Sequence, residues 1–390
     1  MNPRAVSQWA LAAAAFAAPL SIAGVNAALG VLTVSLAASW SSDPGLRAAL
    51  RDALRSPVFK LLAAGAVWAL VCAAAGLDSS RGLRAWPKEL HRLWAFLALG
   101  AALGSVPRAK TRAGLAAGLV AAALVGLGQT VFLSGGEAGF VRARGFVHAV
   151  VYGEMIGLGL IGAAACLGLA ALAPGARRAS AAGALLLLAA LAANQTRAVL
   201  LASAAAATAA ALEVPRLRRG LLAALVSLVA LGVAWEFAPT GGRNLRTLLS
   251  DSPEASAHRA RLVLWDAALA MARERPVTGV GPGSFRRAFE ETGAQGALDG
   301  ERVWGSAHNL FLHQLAERGF PGLGLLLALF WAFYAGARRA WLERRDAAAL
   351  WSLAATAAFV VMNLTETAWQ TEQAATFFLL SWLWGAGPRA

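Results

Sequence analysis

The sequence predicts an all-α, polytopic membrane protein of about twelve transmembrane helices with one large helical polar loop. Three observations carry this. The chain of 390 residues is 58% hydrophobic and only 14% charged, whereas soluble domains carry nearer a quarter charged. Its apolar residues fall in long runs separated by short Arg-rich breaks, the pattern of helices that each need ~20 apolar residues to span a bilayer. The strand-like alternation of a membrane β-barrel is absent.

The net charge of +14 does not imply nucleic acid. The surplus sits in the breaks, at Arg47, Arg51 and Arg55, at Arg108, Lys110 and Arg112, at Arg177 and Arg178, at Arg216, Arg218 and Arg219, and at Arg338, Arg339, Arg344 and Arg345. Such clusters mark cytoplasmic loops. Cys72 and Cys166 lie inside apolar runs without metal or redox spacing and read as small buried hydrophobes.

Residues 1–22 have signal-peptide character, but the apolar run continues to Trp40. Residues 8–40 therefore read as two short uncleaved spans that turn near Pro19 and Asn26. The break 41–56 is cytoplasmic, and the third span covers 57–77. The break 78–92 falls outside yet is basic, which singles out Arg81, Arg84, Lys88 and Arg92. Further spans follow at 93–106, 113–133 and 147–173, with Arg142 and Arg144 in an outside break. Residues 181–212 read as two helices broken at 194–197, where Arg197 must face a cavity or a partner because Arg is costly at membrane depth. Glu154, inside the sixth span, is expected to pair with an Arg or take a helix–helix hydrogen bond. A ninth span covers 220–238, and the last three cover 320–337, 347–364 and 374–387, with TETAWQTEQ outside. The chain thus divides into spans (1–238), a loop (239–319) and spans (320–390), with both termini cytoplasmic and the loop outside.

Inside the loop, residues 253–275 have helical periodicity, with Leu262, Trp265, Leu269 and Ala272 on one face and Pro276 as terminator. A second helix is expected from near Ser306 through His308 to Glu317, stopped by Gly319, with Pro321 opening the next span. Gly279-Val-Gly281-Pro-Gly283 follows a proline rather than a strand, so it is no dinucleotide fingerprint; an anion-binding nest and a sharp turn both fit. On a helix, His308 and His313 would be ~140° apart and could not share a metal. Asp299 and Glu301 are a weak metal pair. Motifs for acyl transfer or nucleotide hydrolysis are absent. What remains is an outside His, several Arg and a membrane. That set suits a diphosphate leaving group, with Arg on the phosphates and His taking a proton from a hydroxyl.

Arg261-Leu-Val-Leu-Trp265, Pro276 with Gly279-Val-Gly281-Pro-Gly283-Ser-Phe285, Ala307-His308-Asn309 and Glu317-Arg-Gly319 together resemble the O-antigen ligase and O-antigen polymerase superfamily. Thr196-Arg197-Ala-Val-Leu resembles the Arg-containing span of that family, and Gly145-Phe146 with His148 resembles an earlier element, although Ala149 stands where a Pro is common. The resemblance implies a glycosyltransferase of the GT-C type in a bacterial inner membrane, with a periplasmic loop. Its donor would be a glycan on undecaprenyl diphosphate, and its acceptor lipid A–core or another lipid-linked glycan. It implies no metal, no nucleotide sugar and no other cofactor. Carried over by position, His308 would be the base or acceptor-orienting group, and Arg197 and Arg261 would hold the diphosphate. Lys88 and Arg142 add to the diphosphate site from the outside face, with Asn309, Gly279, Gly281 and Trp265 supporting it. A ligase is the leading expectation and a polymerase the alternative. A lipid-linked glycan flippase is a third, but it would need neither the long loop nor its His.

Overall fold

Proline and short polar caps set the helix boundaries. In the computed structural model, which describes residues 2–134, 141–215, 218–219, 253–293 and 305–387, Pro3, Pro44, Pro57, Pro87 and Pro174 each open a helix. Proline has no N–H to waste there and a preset φ. Asp43, Ser56, Asp78 and Asp346 cap helices with side-chain oxygens. The helices are α1 (Pro3–Ala17), α2 (Ile22–Ala38), α3 (Pro44–Arg55), α4 (Pro57–Ala75), α5 (Ser79–Ala85), α6 (Pro87–Ser105), α7 (Ala109–Leu133), α8 (Ala149–Leu169), α9 (Pro174–Asn194) and α10 (Arg197–Glu213). They continue as α11 (Pro253–Glu274), α12 (Phe285–Glu291), α13 (Leu310–Arg344), α14 (Ala347–Thr365) and α15 (Glu372–Ala386), with a 3₁₀ turn at Ala368–Gln370. No strand occurs among the described residues.

Six of these helices, α4, α7, α8, α9, α13 and α14, are long and apolar enough to cross a membrane. That is fewer than the twelve or so spans expected. α1 and α15 have 15 residues and α2 and α10 have 17, so each falls short of ~30 Å at 1.5 Å per residue. α6 starts at Pro87 and takes Lys88, Glu89 and Arg92 into its first turns. The expected ninth span, 220–238, lies outside the described residues. The break 41–56 is not plain loop: it folds as the amphipathic α3, which buries Leu46, Ala49 and Ala53.

Small residues let the helices approach closely. A Cβ at Gly114 or Gly118 of α7 would strike the backbone of α1, and one at Gly153 or Gly157 of α8 would strike Asn194, Thr196 or Val199. Both pairs have the four-residue spacing that brings helices together in lipid. The interior beside α13, α14 and α15 is aromatic, with Phe359 stacked on Phe378 at 4.2 Å and Trp369 edge-on to Phe330, Phe333 and Phe359. Cys72 is buried as expected, but Cys166 is exposed on the outer face of α8. An apolar run tells that a residue lies in a helix, not which way it faces.

Two polar ends result. At one, Arg4 pairs with Asp43, Arg108 donates to Trp384 O, and Arg338, Trp341 and Arg345 all bond Glu213. At the other, Leu77 N donates to Val280 O, Gln373 to Ala18 O, and Arg92 to Trp369 O. The candidate site residues gather at this second end.

Candidate active site

The site grows from a break in α13. Gly319 interrupts the helix with φ +66°, and Pro321 follows. Without an N–H on Pro321 the Glu317 carbonyl has no helical partner. The glycine-rich loop supplies donors: Val280 N bonds Ala316 O (2.9 Å), Gly281 N bonds Glu317 O (3.0 Å), and Phe320 N turns to Pro276 O (2.8 Å). Trp68 Nε1 takes the Arg318 carbonyl (3.0 Å). A Cβ at Gly279 would strike the Glu317 backbone, so only glycine allows this approach. The amides of Gly279, Val280 and Gly281 are thus engaged within the protein. The loop is a turn that seals the broken helix, and the anion-nest reading does not hold.

The same arrangement seats His308. Asn309 caps α13, its Oδ1 accepting from Phe311 N (3.0 Å) and Leu312 N (3.1 Å). The helix therefore begins at Leu310, later than expected, because Asn309 spends its side chain as a cap. His308 precedes it with φ +45°. His313 alone is helical; it is buried, with Nε2 3.4 Å from Glu317 Oε2.

Arg261 and Trp265 lie four residues apart on α11, so both project from one face. Trp265 Nε1 donates to the Ala307 carbonyl (3.0 Å), next to His308. Arg261 Nη2 donates to Glu366 Oε1 at 3.0 Å. The other oxygen, Glu366 Oε2, is 3.0 Å from His308 Nδ1. One carboxylate thus bridges the His and the Arg. Its backbone also ties in, since Leu310 N donates to Glu366 O (3.1 Å). The Glu366 side chain is 14% exposed, against 28% for His308 and 35% for Arg261. The buried stripe of α11 is Leu264, Ala267, Ala268 and Met271. The expected face is only partly right, because Leu262 is exposed. Ala272 is buried and Trp265 packs half-buried against the cluster of Leu264, Ala267, Ala268, Met271, Phe285 and Phe289, so the buried face is rotated from the expected one, not replaced.

Arg142 comes from the loop between α7 and α8, and Arg197 from the start of α10. α9 ends at Asn194, Gln195 turns left-handed (φ 55°), and Arg197 opens α10. Arg197 is therefore an exposed helix-start residue at the site end rather than a mid-span charge. Arg142 Nε donates to Asn194 O (2.8 Å) and its Nη2 to Thr196 Oγ1 (2.9 Å). Burial, then the charge of Arg197, hold the Arg142 pKa below the ordinary arginine value, with Glu366 opposing. Arg142 thus lies within electrostatic reach of both Arg197 and Glu366. Lys88 is exposed and makes no hydrogen bond or ion pair among the described residues. His148 caps α8 with its side chain. Asp299 and Glu301 lie outside the described residues.

Two acids depart from expectation. Glu154 is buried on α8 with Oε2 unpartnered among the described residues, so the expected Arg pair or helix–helix hydrogen bond is not made at that oxygen. Glu366 itself was not singled out in the sequence. The available signal was an acid in TETAWQTEQ, on the face where His308 and the cations need a counter-charge.

Six helices long and apolar enough to cross a membrane are consistent with a polytopic membrane protein, and a His–carboxylate–Arg cluster lies at one polar end of it. Residues 182–327 match the family model described as O-antigen ligase, and this match supports the O-antigen ligase/polymerase superfamily for the chain. Members of that family are glycosyltransferase-like enzymes. The matched segment contains Arg197, Arg261, His308 and Asn309 but ends before Glu366. No curated protein matches the chain.

Proposed function

We propose that this protein is a ligase-type glycosyltransferase, moving a glycan from undecaprenyl diphosphate to a sugar hydroxyl of lipid A–core at the periplasmic face of a bacterial inner membrane. The observation that carries the reading is the single carboxylate of Glu366 joining His308 Nδ1 to Arg261, each at 3.0 Å. An ionised Glu366 fixes the proton on Nδ1 and leaves Nε2 as the nitrogen that exchanges protons. In the reaction the acceptor oxygen attacks the anomeric carbon while its proton passes to His308 Nε2. The bond from the anomeric carbon to the phosphate oxygen breaks, and the diphosphate departs with the electron pair. One direct displacement inverts the anomeric centre. Arg261, Arg197 and Arg142 stabilise the departing charge, with Lys88 as an outer contact. The about twelve spans and their division into 1–238, 239–319 and 320–390 belong to this proposal, as do the cytoplasmic termini and the membrane-lipid surroundings. The site then draws on all three parts, since Arg142, Arg261 and Glu366 lie in different ones.

The test is transfer by purified protein from an undecaprenyl-diphosphate oligosaccharide to lipid A–core. His308→Ala is expected to lose transfer by about 10²–10⁴-fold; wild-type rates from it would overturn the assignment. The same products separate the alternatives. Capped lipid A–core marks a ligase, a ladder of lengths on the carrier lipid marks the polymerase, and movement without bond breakage marks a flippase.

A further inference from the structure

The proposed site leaves a buried ion cluster beneath it unexplained. Glu89 and Arg92 lie on α6, and Arg318 lies on α13 beside the Gly319 break. Glu89 Oε1 is 2.6 Å from Arg92 Nη1 and 2.5 Å from Arg318 Nη2. The Arg92 side chain is only 3% exposed. Two buried guanidiniums on one carboxylate cost desolvation that apolar packing would avoid, so the cluster calls for a purpose.

Arg92 reaches beyond the cluster. Its Nε donates to the Trp369 carbonyl at 3.1 Å, and its guanidinium lies 5.3 Å from the centre of the Trp369 ring. Trp369 stands three residues after Glu366. The segment between is gripped at three points: Glu366 O by Leu310 N (3.1 Å), Trp369 N by Asn363 Oδ1 (3.0 Å), and Trp369 O by Arg92. The planar fork of Arg serves Glu89 and Trp369 O together, which the single ammonium of Lys cannot do. Through Glu89 the grip also extends to Arg318, on the helix that His308 leads into.

We propose that Arg92 is a positioning residue for transfer, holding residues 366–370 through Trp369 so that the Glu366 carboxylate meets His308 and Arg261 at once. This rests on the functional reading above. It assigns a purpose to a basic residue in the break 78–92, outside the segment that matches the family.

The test uses purified full-length protein in lipid nanodiscs, comparing wild type with Arg92→Lys and Arg92→Met. Hydrogen exchange of peptides covering 363–371 is expected to quicken by about 10-fold or more in both variants, with α7 and α8 unchanged. With undecaprenyl-diphosphate oligosaccharide as donor, kcat is expected to fall by about 10–100-fold while donor KM stays within about twofold. In a Glu366→Gln background, Arg92→Lys is expected to cost less than about twofold more. Unchanged exchange in 363–371, or a full additive loss in the Glu366→Gln background, would overturn the proposal. Should Arg92→Met fail to fold, Arg92→Lys carries every readout. Should Glu366→Gln transfer normally, the functional reading fails, while the exchange data still decide whether Arg92 holds the segment.

Discussion

At the scale of single residues, the proposed mechanism turns on Glu366. A neutral amide keeps its shape but cannot hold the His308 Nδ1–H as a carboxylate does. Glu366→Gln is therefore expected to lower kcat by about 10²–10⁴-fold, as loss of a His-orienting carboxylate does elsewhere. Arg261→Lys is expected to retain less than about a tenth of the activity, since a point charge replaces a fork that must face Glu366 and a diphosphate; steady-state transfer kinetics read both. Glu89 gives a pH prediction. Burial alone would raise its pKa, but the charges of Arg318 and Arg92 outweigh it and hold the carboxyl at about 2, below its ordinary 4.5. A depressed carboxyl stabilises the fold fully above its unfolded pKa and loses that contribution as pH falls through the folded value. The stability gap between wild type and Glu89→Gln should thus be constant above about pH 4.5 and close towards pH 2, as thermal unfolding across that range would show. His308, Arg261 and Arg197 were legible in the sequence because they stand in recognisable motifs. Glu366 was not: a lone acid 58 residues from His308 has no spacing that announces the contact.

Among the elements, the break in α13 is the part on which the site is built. Gly319 has φ +66°, and a Cβ there would strike the Val277 and Pro276 carbonyls. Gly319→Ala is expected to destabilise the fold by about 1–3 kcal/mol, read as a lower melting temperature in detergent, with transfer lost in proportion to misplacement of His308. Trp265→Phe keeps an aromatic ring and removes the bond to Ala307 O; its expected signature is reduced kcat with little change in melting temperature. Breaks were easier to read than faces. Pro276, Gly319 and Pro321 signal chain direction locally, whereas the buried row of α11 depends on what packs against it. Likewise α3 was hidden, because a short Arg-rich stretch reads as a loop until Leu46, Ala49 and Ala53 find α6 to cover.

For the whole molecule, the alternation of basic breaks gave the two ends of the bundle, since charge clusters are a sum over many residues. Span number was less secure. Helices of 15–17 residues are shorter than a straight span, and length alone does not tell a span from a buried helix. Topology makes a direct prediction. A single cysteine at position 144 in a Cys-free background should react with an impermeant maleimide in intact spheroplasts, and one at position 177 only after permeabilisation; the reverse pattern would invert the proposed orientation. The central claim is that one carboxylate joins the proton acceptor to the cation that holds the leaving group. Its most direct test is the double-mutant cycle of Glu366→Gln and His308→Gln, measured as kcat for transfer from an undecaprenyl-diphosphate oligosaccharide. Residues acting as a unit give a double variant about as slow as either single one; losses that multiply would contradict the claim.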